Sequence, residues 1–183
     1  RPIDNPKYFD NQNGEYSWVR ISDVSASDKY LTNTTQKLSE LGSTLSTKMS
    51  PGDIFLSIAG TVGKPIITTI KCCIHDGFVW FENLNYEKEF LYQIFSVGIC
   101  FQGLGKMGTQ LNLNTDTVGE ISIPCPPPAE KKQISEYLES ETKKITRLVN
   151  TETKRIKLVK EYRRSLISNL VTGKIDIRAE AIR

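Results

Sequence analysis

The chain changes character at Pro128, and this change constrains its fold more than any other feature. Both Trp, all seven Phe, all four Cys and the only His precede that proline. After it there is a single glycine, Gly173, and the apolar residues recur at three- and four-residue steps, which is the period of an α-helix. We therefore predict a globular domain over residues 1–128 and a helical segment over residues 129–183.

The balance of acidic and basic residues also changes at Pro128. The net charge is +3, but residues 1–128 hold ten Lys/Arg against thirteen Asp/Glu, whereas residues 129–183 hold fourteen against eight. No apolar run approaches the ~18 residues of a membrane span, and the first residues carry no apolar segment typical of a secretory signal. We expect a soluble, cytoplasmic protein that does not contact a membrane.

The cysteines favour neither a metal site nor a catalytic one. Cys72, Cys73, Cys100 and Cys125 are too few and too irregular for a disulfide scaffold, and no Cys-x-x-Cys occurs. Cys73 and His75 would occupy alternate positions of a strand, with side-chain origins ~7 Å apart, so they are not placed as a nucleophile and its base. We expect buried thiols in a strand, no bound metal and no enzymatic activity.

The globular segment predicts an α+β fold: a mixed, largely antiparallel β domain with one covering helix. Alternation of Ile54, Leu56 and Ile58 marks the clearest strand, and the period of Phe90, Ile94 and Val97 marks the helix. We read the middle strands as an antiparallel meander. The predicted strands are 16–24, 54–58, 64–70, 74–81 and 120–123, and the predicted helices are 34–41 and 87–101.

Two glycine patterns resemble nucleotide-binding motifs but lack their context. Gly60-x-x-Gly63-Lys64 is too short for a Walker A loop, and a strand follows it. Gly103-x-Gly105-x-x-Gly108 has the dinucleotide-binding spacing, yet it follows a helix and opens a loop. We interpret the first as a hairpin turn and the second as a loop.

The helical segment predicts a short helix, 130–138, and then a long coiled-coil-type helix. The short one has an apolar side made by Ile134, Tyr137 and Leu138, suited to packing at the junction or to docking a partner. The long helix is a rod of ~50 Å that carries a narrow apolar stripe. The Lys and Arg residues that flank this stripe are expected to form a solvated outer face. The apolar stripe consists of Ile145, Leu148, Val149, Ile156, Val159, Tyr162, Leu166 and Leu170.

Four stretches, in order, resemble the sequence-specificity subunit of Type I restriction-modification systems. They are Asn5-Pro6-Lys7-Tyr8-Phe9 with Tyr16-x-Trp18-Val19-x-Ile21-x-Asp23, Pro51-Gly52-Asp53-Ile54-x-x-Ser57 with Gly60-Thr61-Val62-Gly63, Gly108-Thr109-Gln110-x-Asn112-Leu113, and Ile123-Pro124-x-Pro126-Pro127-x-x-Glu130-x-x-x-Ile134. The end, Arg163-Arg164-x-Leu166-Ile167-x-x-x-Val171-Thr172-Gly173-Lys174-Ile175, resembles the family's spacer helix. Two departures stand out: Glu130-Lys131 replaces the usual Glu-Gln, and the chain has about half the usual length, either a half-sized subunit or half of one.

The resemblance implies a non-catalytic DNA-reading module. A target-recognition domain would bind one half of a bipartite sequence in double-stranded DNA, and the helices would dock methyltransferase (modification) subunits. S-adenosylmethionine would be bound by those subunits and not by this chain, and a restriction subunit with translocase and nuclease activity would join the full complex. The spacer helix would pair in antiparallel fashion, either in a homodimer with an inverted-repeat target or with a second specificity half.

Base reading requires long polar side chains on loops and strand ends. The candidate DNA-binding residues are Lys7, Arg20, Lys64, Lys106, Gln110 and Asn112. Gln110 and Asn112 have an equally good alternative role in capping the turn before the last predicted strand. The alternative for the whole chain is a coiled-coil scaffold or adaptor whose globular head binds protein; DNA binding that weakens steeply with salt would separate the two.

Overall fold

The computed structural model describes residues 5–104, 113–176 and 178. It has the mixed α and β architecture predicted, with antiparallel-rich sheets and a long C-terminal helix. The strands are β1 Tyr16–Trp18, β2 Tyr30–Leu31, β3 Gln36–Leu38, β4 Thr47–Met49, β5 Ile54–Ser57, β6 Pro65–Thr68, β7 Cys72–Ile74 and β8 Phe78–Trp80. The α-helices are α1 Ile21–Ala26, α2 Glu40–Thr44, α3 Lys88–Val97, α4 Thr115–Gly119 and α5 Pro128–Val171, and single 3-10 turns occupy Pro6–Tyr8 and Ile99–Phe101.

The strands form two four-stranded sheets, and the predicted meander is wrong. One sheet has the order β3-β1-β7-β4 and the other the order β2-β6-β5-β8. The predicted strand 74–81 is divided between them, because β7 pairs with β1 and β4, whereas β8 pairs with β5. Each sheet contains one parallel pair, β1 with β7 and β2 with β6.

The core lies on both faces of β5. Phe55 points to one face and stacks edge-on against Phe78, with Ile66 and the other sheet's Cys72 in the same buried cluster. Ile54 and Leu56 point to the opposite face, where α3 covers the sheet as predicted. Because successive residues of a strand alternate between faces, a strand covered on both sides is apolar throughout.

Three predicted elements of the globular segment differ from the structure. The strand 16–24 ends at Trp18 and gives way to α1, where the N–H of the preceding residue, Arg20, donates to the Asp23 carboxylate. The helix 34–41 is instead strand β3, which pairs with β1 and is followed by α2, whose start is capped by Ser39. Residues 120–123 form no strand: Ile121 and Ile123 pack on the core as irregular chain after α4.

The remaining helices agree with the sequence more closely. The predicted helix 87–101 is α3 followed by a 3-10 turn, and Gly98 separates the two with a left-handed φ of 74° that glycine adopts without strain. The hairpin turn predicted at Gly60 and Gly63 is confirmed between β5 and β6. Helix 130–138 and the long helix are one continuous helix, α5, of 44 residues.

The chain forms two compact units, Arg1–Ser135 and Glu136–Arg183. The first two turns of α5 therefore belong to the globular unit, and the rest of α5 forms the second. The predicted division at Pro128 stays a prediction. Within the described residues, no helix combines the length and the apolar character needed to cross a membrane.

Candidate functional site

Helix α1 organises two of the candidate DNA-binding residues. Arg20 immediately precedes the helix and is exposed; its backbone N–H donates to Asp23 Oδ2 at 2.9 Å. The second oxygen of Asp23 accepts from the Thr35 N–H at 3.3 Å, so one buried carboxylate fixes the start of α1 and the segment before β3. These hydrogen bonds therefore fix the position of the backbone that carries the Arg20 side chain.

Lys64 lies at the other end of α1. Its ammonium donates to the carbonyl oxygens of Ser25, at 3.4 Å, and Ser27, at 2.5 Å. These are carbonyls at a helix C-terminus, where a cation is favourable both as a hydrogen-bond donor and through the helix dipole. The hydroxyls of Thr61 and Ser25 are also 2.5 Å apart. Lys64 therefore joins the β5–β6 hairpin to α1, and its ammonium already has two acceptors.

Lys7 belongs to a different part of the globular unit. It lies in the 3-10 turn Pro6–Tyr8, which packs on α2, and its ammonium stands 4.8 Å from the centre of the Tyr8 ring. Gly42 of α2 approaches the Tyr8 carbonyl so closely that a Cβ there would lie 2.2 Å from the oxygen. The other three candidates, Lys106, Gln110 and Asn112, lie outside the described residues.

An open groove of about 510 Å³ runs beside the β5–β6 hairpin. Its lining includes three aromatic residues from α3 and the 3-10 turn that follows, together with Asp28, Lys64 and Gln102. The aromatic residues are Tyr92, Phe95 and Phe101. Such a groove can accept an apolar side chain or the edge of a base. It brings Lys64 close to aromatic residues of α3 and of the 3-10 turn.

The beginning of α5 is anchored in the globular unit by a contact that the sequence did not indicate. Lys131 is buried, with its ammonium 4.0 Å from the centre of the Tyr86 ring and 3.5 Å from Cys125 Sγ. The Tyr86 hydroxyl donates to the Pro124 carbonyl at 2.5 Å. A cation over an aromatic face is attracted to the negative charge of the ring. Lys131 is also the position at which the family pattern usually has Gln.

The candidate docking and pairing residues differ in exposure. Ile134 and Leu138 are half-buried, whereas Tyr137 is exposed over 66% of its surface. In the apolar stripe every residue except the half-buried Leu170 is exposed, from 38% at Leu166 to 68% at Tyr162. Three further apolar residues of α5 are exposed as well: Leu158, Ile167 and Val171. A single copy of the second unit therefore leaves an extended apolar surface in water.

Comparison with protein families identifies the family to which this chain belongs. The sequence profile of the Type I restriction modification DNA specificity domain matches residues 2–158. The chain belongs to this family. The match covers both sheets and more than half of α5, so the specificity domain comprises the globular unit together with part of the helix.

Two solved structures are similar to this specificity domain. One, from a study of complex assembly and conformational transition of the type I R-M system, has a TM-score of 0.69 and 17% identity over 90% of this chain and 40% of that chain. The other, the HsdS subunit from Thermoanaerobacter tengcongensis, has a TM-score of 0.56 and 18% identity over 81% of this chain and 35% of that chain. At this identity the likeness concerns the fold. The chain spans well under half the length of either.

The cysteines of the specificity domain have contrasting environments. Cys72 and Cys73 are fully buried in β7, as predicted, and burial raises the pKa of their thiols to about 11 and about 12. A thiol reacts as its thiolate, so both are inert at neutral pH. Cys125 is exposed and Cys100 is half-buried. No group of three or more His, Cys, Asp or Glu in the described part of the chain is arranged to hold a metal ion.

We expect the four thiols to react with a disulfide reagent in separate phases. Cys125 should react first and Cys100 more slowly, whereas Cys72 and Cys73 should react only after unfolding. The measurement is the release of the coloured thiolate from an aromatic disulfide at pH 8, with and without denaturant. Cys125→Ser should remove the fast phase alone, and release of all four equivalents at one rate from the folded protein would contradict the burial of β7.

Proposed function

We propose that the globular unit reads one half of a bipartite sequence in double-stranded DNA and that α5 docks methyltransferase subunits. The membership of residues 2–158 in the DNA specificity domain family carries the proposal. Arg20 and Lys64, at opposite ends of α1, and Lys7, on a separate turn, are the described residues that we assign to DNA. Lys106, Gln110 and Asn112 complete the proposed set.

The chemistry would belong to the partners. We propose that this chain catalyses no reaction and binds no cofactor, and that the methyltransferase subunits bind S-adenosylmethionine. A restriction subunit would join the complete assembly. Tyr137 is the preferred docking contact of the three residues near the start of α5, because it is exposed while Ile134 and Leu138 are already half-buried.

The apolar stripe on α5 supports a dimer. Exposed Leu148, Val149, Ile156 and Val159 would be covered if two copies paired through their helices. An antiparallel pair has two-fold symmetry, so its two globular units would read an inverted repeat. In a longer subunit the same stripe would pair with a second spacer helix of the same chain.

The test is the methylation pattern of host DNA. The chain produced together with its cognate methyltransferase subunit should create one new methylated motif, an inverted repeat interrupted by a fixed spacer. The double variant Lys106→Ala, Gln110→Ala should reduce or change methylation at that motif, because these side chains are assigned to base contacts. If no motif appears and the chain does not copurify with the methyltransferase subunit, the chain is instead a coiled-coil scaffold whose head binds protein.

A further inference from the structure

Several cations of the globular unit are engaged within it. Lys131 is buried against Tyr86. Salt bridges occupy three more: Lys29 with Glu89, Lys71 with Glu15, and Lys88 with Asp53. Residues 1–128 also carry more acidic than basic side chains. Since duplex DNA is bound mainly by neutralising phosphates with Lys and Arg, this unit, with its acidic excess, is not by itself a strongly cationic surface.

Helix α5 has the opposite balance. Between positions 147 and 164 it carries seven Lys/Arg and only two Glu. Five of the cations recur at steps of seven, three, three and four residues, which places them on one side of a helix, opposite the apolar stripe. All five are exposed. We call this surface the basic face; it consists of Arg147, Lys154, Lys157, Lys160 and Arg164.

Most members of the basic face are not neutralised by a neighbouring carboxylate. Four of its members form no salt bridge within the described residues, and Lys157 approaches Glu161 only to 3.9 Å. Three other cations of the helix do pair, at 2.6 to 3.0 Å: Lys143 with Glu139, Lys144 with Glu141, and Arg155 with Glu152. Most members of the basic face are therefore available to meet an external anion.

We propose that the basic face binds the phosphates of double-stranded DNA without reading sequence. It would add phosphate contacts to those of the cations that we assign to DNA on the globular unit. The inference rests on the proposed function, because the same DNA would be read by that unit. The face extends over ~26 Å at 1.5 Å per residue, while duplex DNA carries one negative charge for about each 1.7 Å of its axis. A linear array of phosphates along about eight base pairs therefore matches the length of the face. An acidic partner protein is the competing occupant.

The test compares two variants of equal charge in the full-length protein. The basic-face variant is Arg147→Gln, Lys154→Gln, Arg164→Gln. The control is Lys144→Gln, Arg155→Gln, Arg163→Gln, which removes three cations from the side of the same helix that carries the apolar stripe. Gln has nearly the helix propensity of Lys and Arg, so both variants keep α5. Binding to a random-sequence duplex of about 40 base pairs is measured by fluorescence anisotropy between ~50 and ~200 mM salt.

We expect the basic-face variant to lose about 0.9 in the slope of log affinity against log salt for each phosphate contact removed, or up to about 2.7 per protomer. The control should keep the wild-type slope. Equal slopes in the two variants, or a wild-type chain that binds no DNA, would overturn the inference. So would a basic-face variant that keeps its slope but no longer copurifies with the methyltransferase subunit, because the face would then bind an acidic protein.

Failure of the proposed function has a different signature. If the chain binds random DNA with the expected salt dependence but directs methylation to no motif, DNA binding by the basic face is supported and the proposed reading of a half-site is wrong. If methylation of a motif occurs while the basic-face variant keeps the wild-type slope, the proposed reading of a half-site is supported and only DNA binding by the basic face is wrong.

Discussion

Replacing Leu148 and Ile156 with Asp should convert a dimer into a monomer. Both side chains are exposed in the single chain, at 65% and 56%, and lie on the apolar stripe of α5. In a pair of helices they would be enclosed, and two carboxylates per chain would lose hydration without gaining partners. Light scattering should report a mass of twice the 20.7 kDa chain for the wild type and of one chain for the variant.

A matched variant separates pairing from a general charge effect. Thr146→Asp with Thr153→Asp adds the same charge to the same part of α5 but away from the stripe, so it should remain dimeric. Both Trp residues lie in the globular unit, and their fluorescence should be unchanged in either variant. A wild-type protein that is monomeric at high micromolar concentration would show that the stripe does not pair two copies.

Strong local periodicity was enough to predict several elements. Alternation over 54–58 gave β5, and the three- and four-residue steps after Glu87 gave α3 as the helix that covers the sheet. The helical period after Pro128 predicts α5, although as a short helix, 130–138, followed by a long one instead of one continuous helix. In each case the residues needed for the prediction lie within a few positions of one another.

Two of the errors involve contacts between residues distant in the chain, and one does not. Residues 34–41 are predicted to be a short helix, but pairing of residues 36–38 with β1 makes them strand β3. Residues 21–24 are rich in β-branched side chains, but Asp23 meets the Arg20 and Thr35 N–H groups and stabilises α1. Helix α4 was missed although its signal is local: Asn114 Oδ1 accepts from the Thr117 N–H at 2.8 Å.

The candidate site was less predictable than the fold. Lys64 and Lys7 look alike in the sequence, yet one ammonium holds α1 to a hairpin and the other lies over a tyrosine ring. Lys131 and Lys132 are adjacent, yet only Lys131 is buried against Tyr86. The position of a long cationic side chain depends on which carbonyls and rings the fold brings near it. The sequence therefore identified the residue types that DNA binding requires but not which of them are free.

The second large effect should come from Asp23→Ala. This carboxylate is buried and accepts two backbone N–H groups, from Arg20 at 2.9 Å and Thr35 at 3.3 Å. Alanine leaves both donors without their acceptor, and each hydrogen bond to a charged group contributes about 1.5–3 kcal/mol. We expect the free energy of unfolding to fall by about 3 kcal/mol, measured by urea denaturation with Trp fluorescence at one fixed protein concentration, since dimerisation adds to stability.

Two comparisons make the interpretation of Asp23→Ala specific. Asp23→Asn keeps one acceptor oxygen and should lose about half as much stability, whereas Asp28→Ala, at an exposed position in the same segment, should stay within about 0.5 kcal/mol of the wild type. Because α1 presents Arg20 and is capped by Lys64, DNA affinity should fall in the Asp23→Ala protein even at temperatures where it remains folded. Unchanged urea midpoints for Asp23→Ala would show that the carboxylate does not stabilise α1, and the placement of Arg20 would then need another cause.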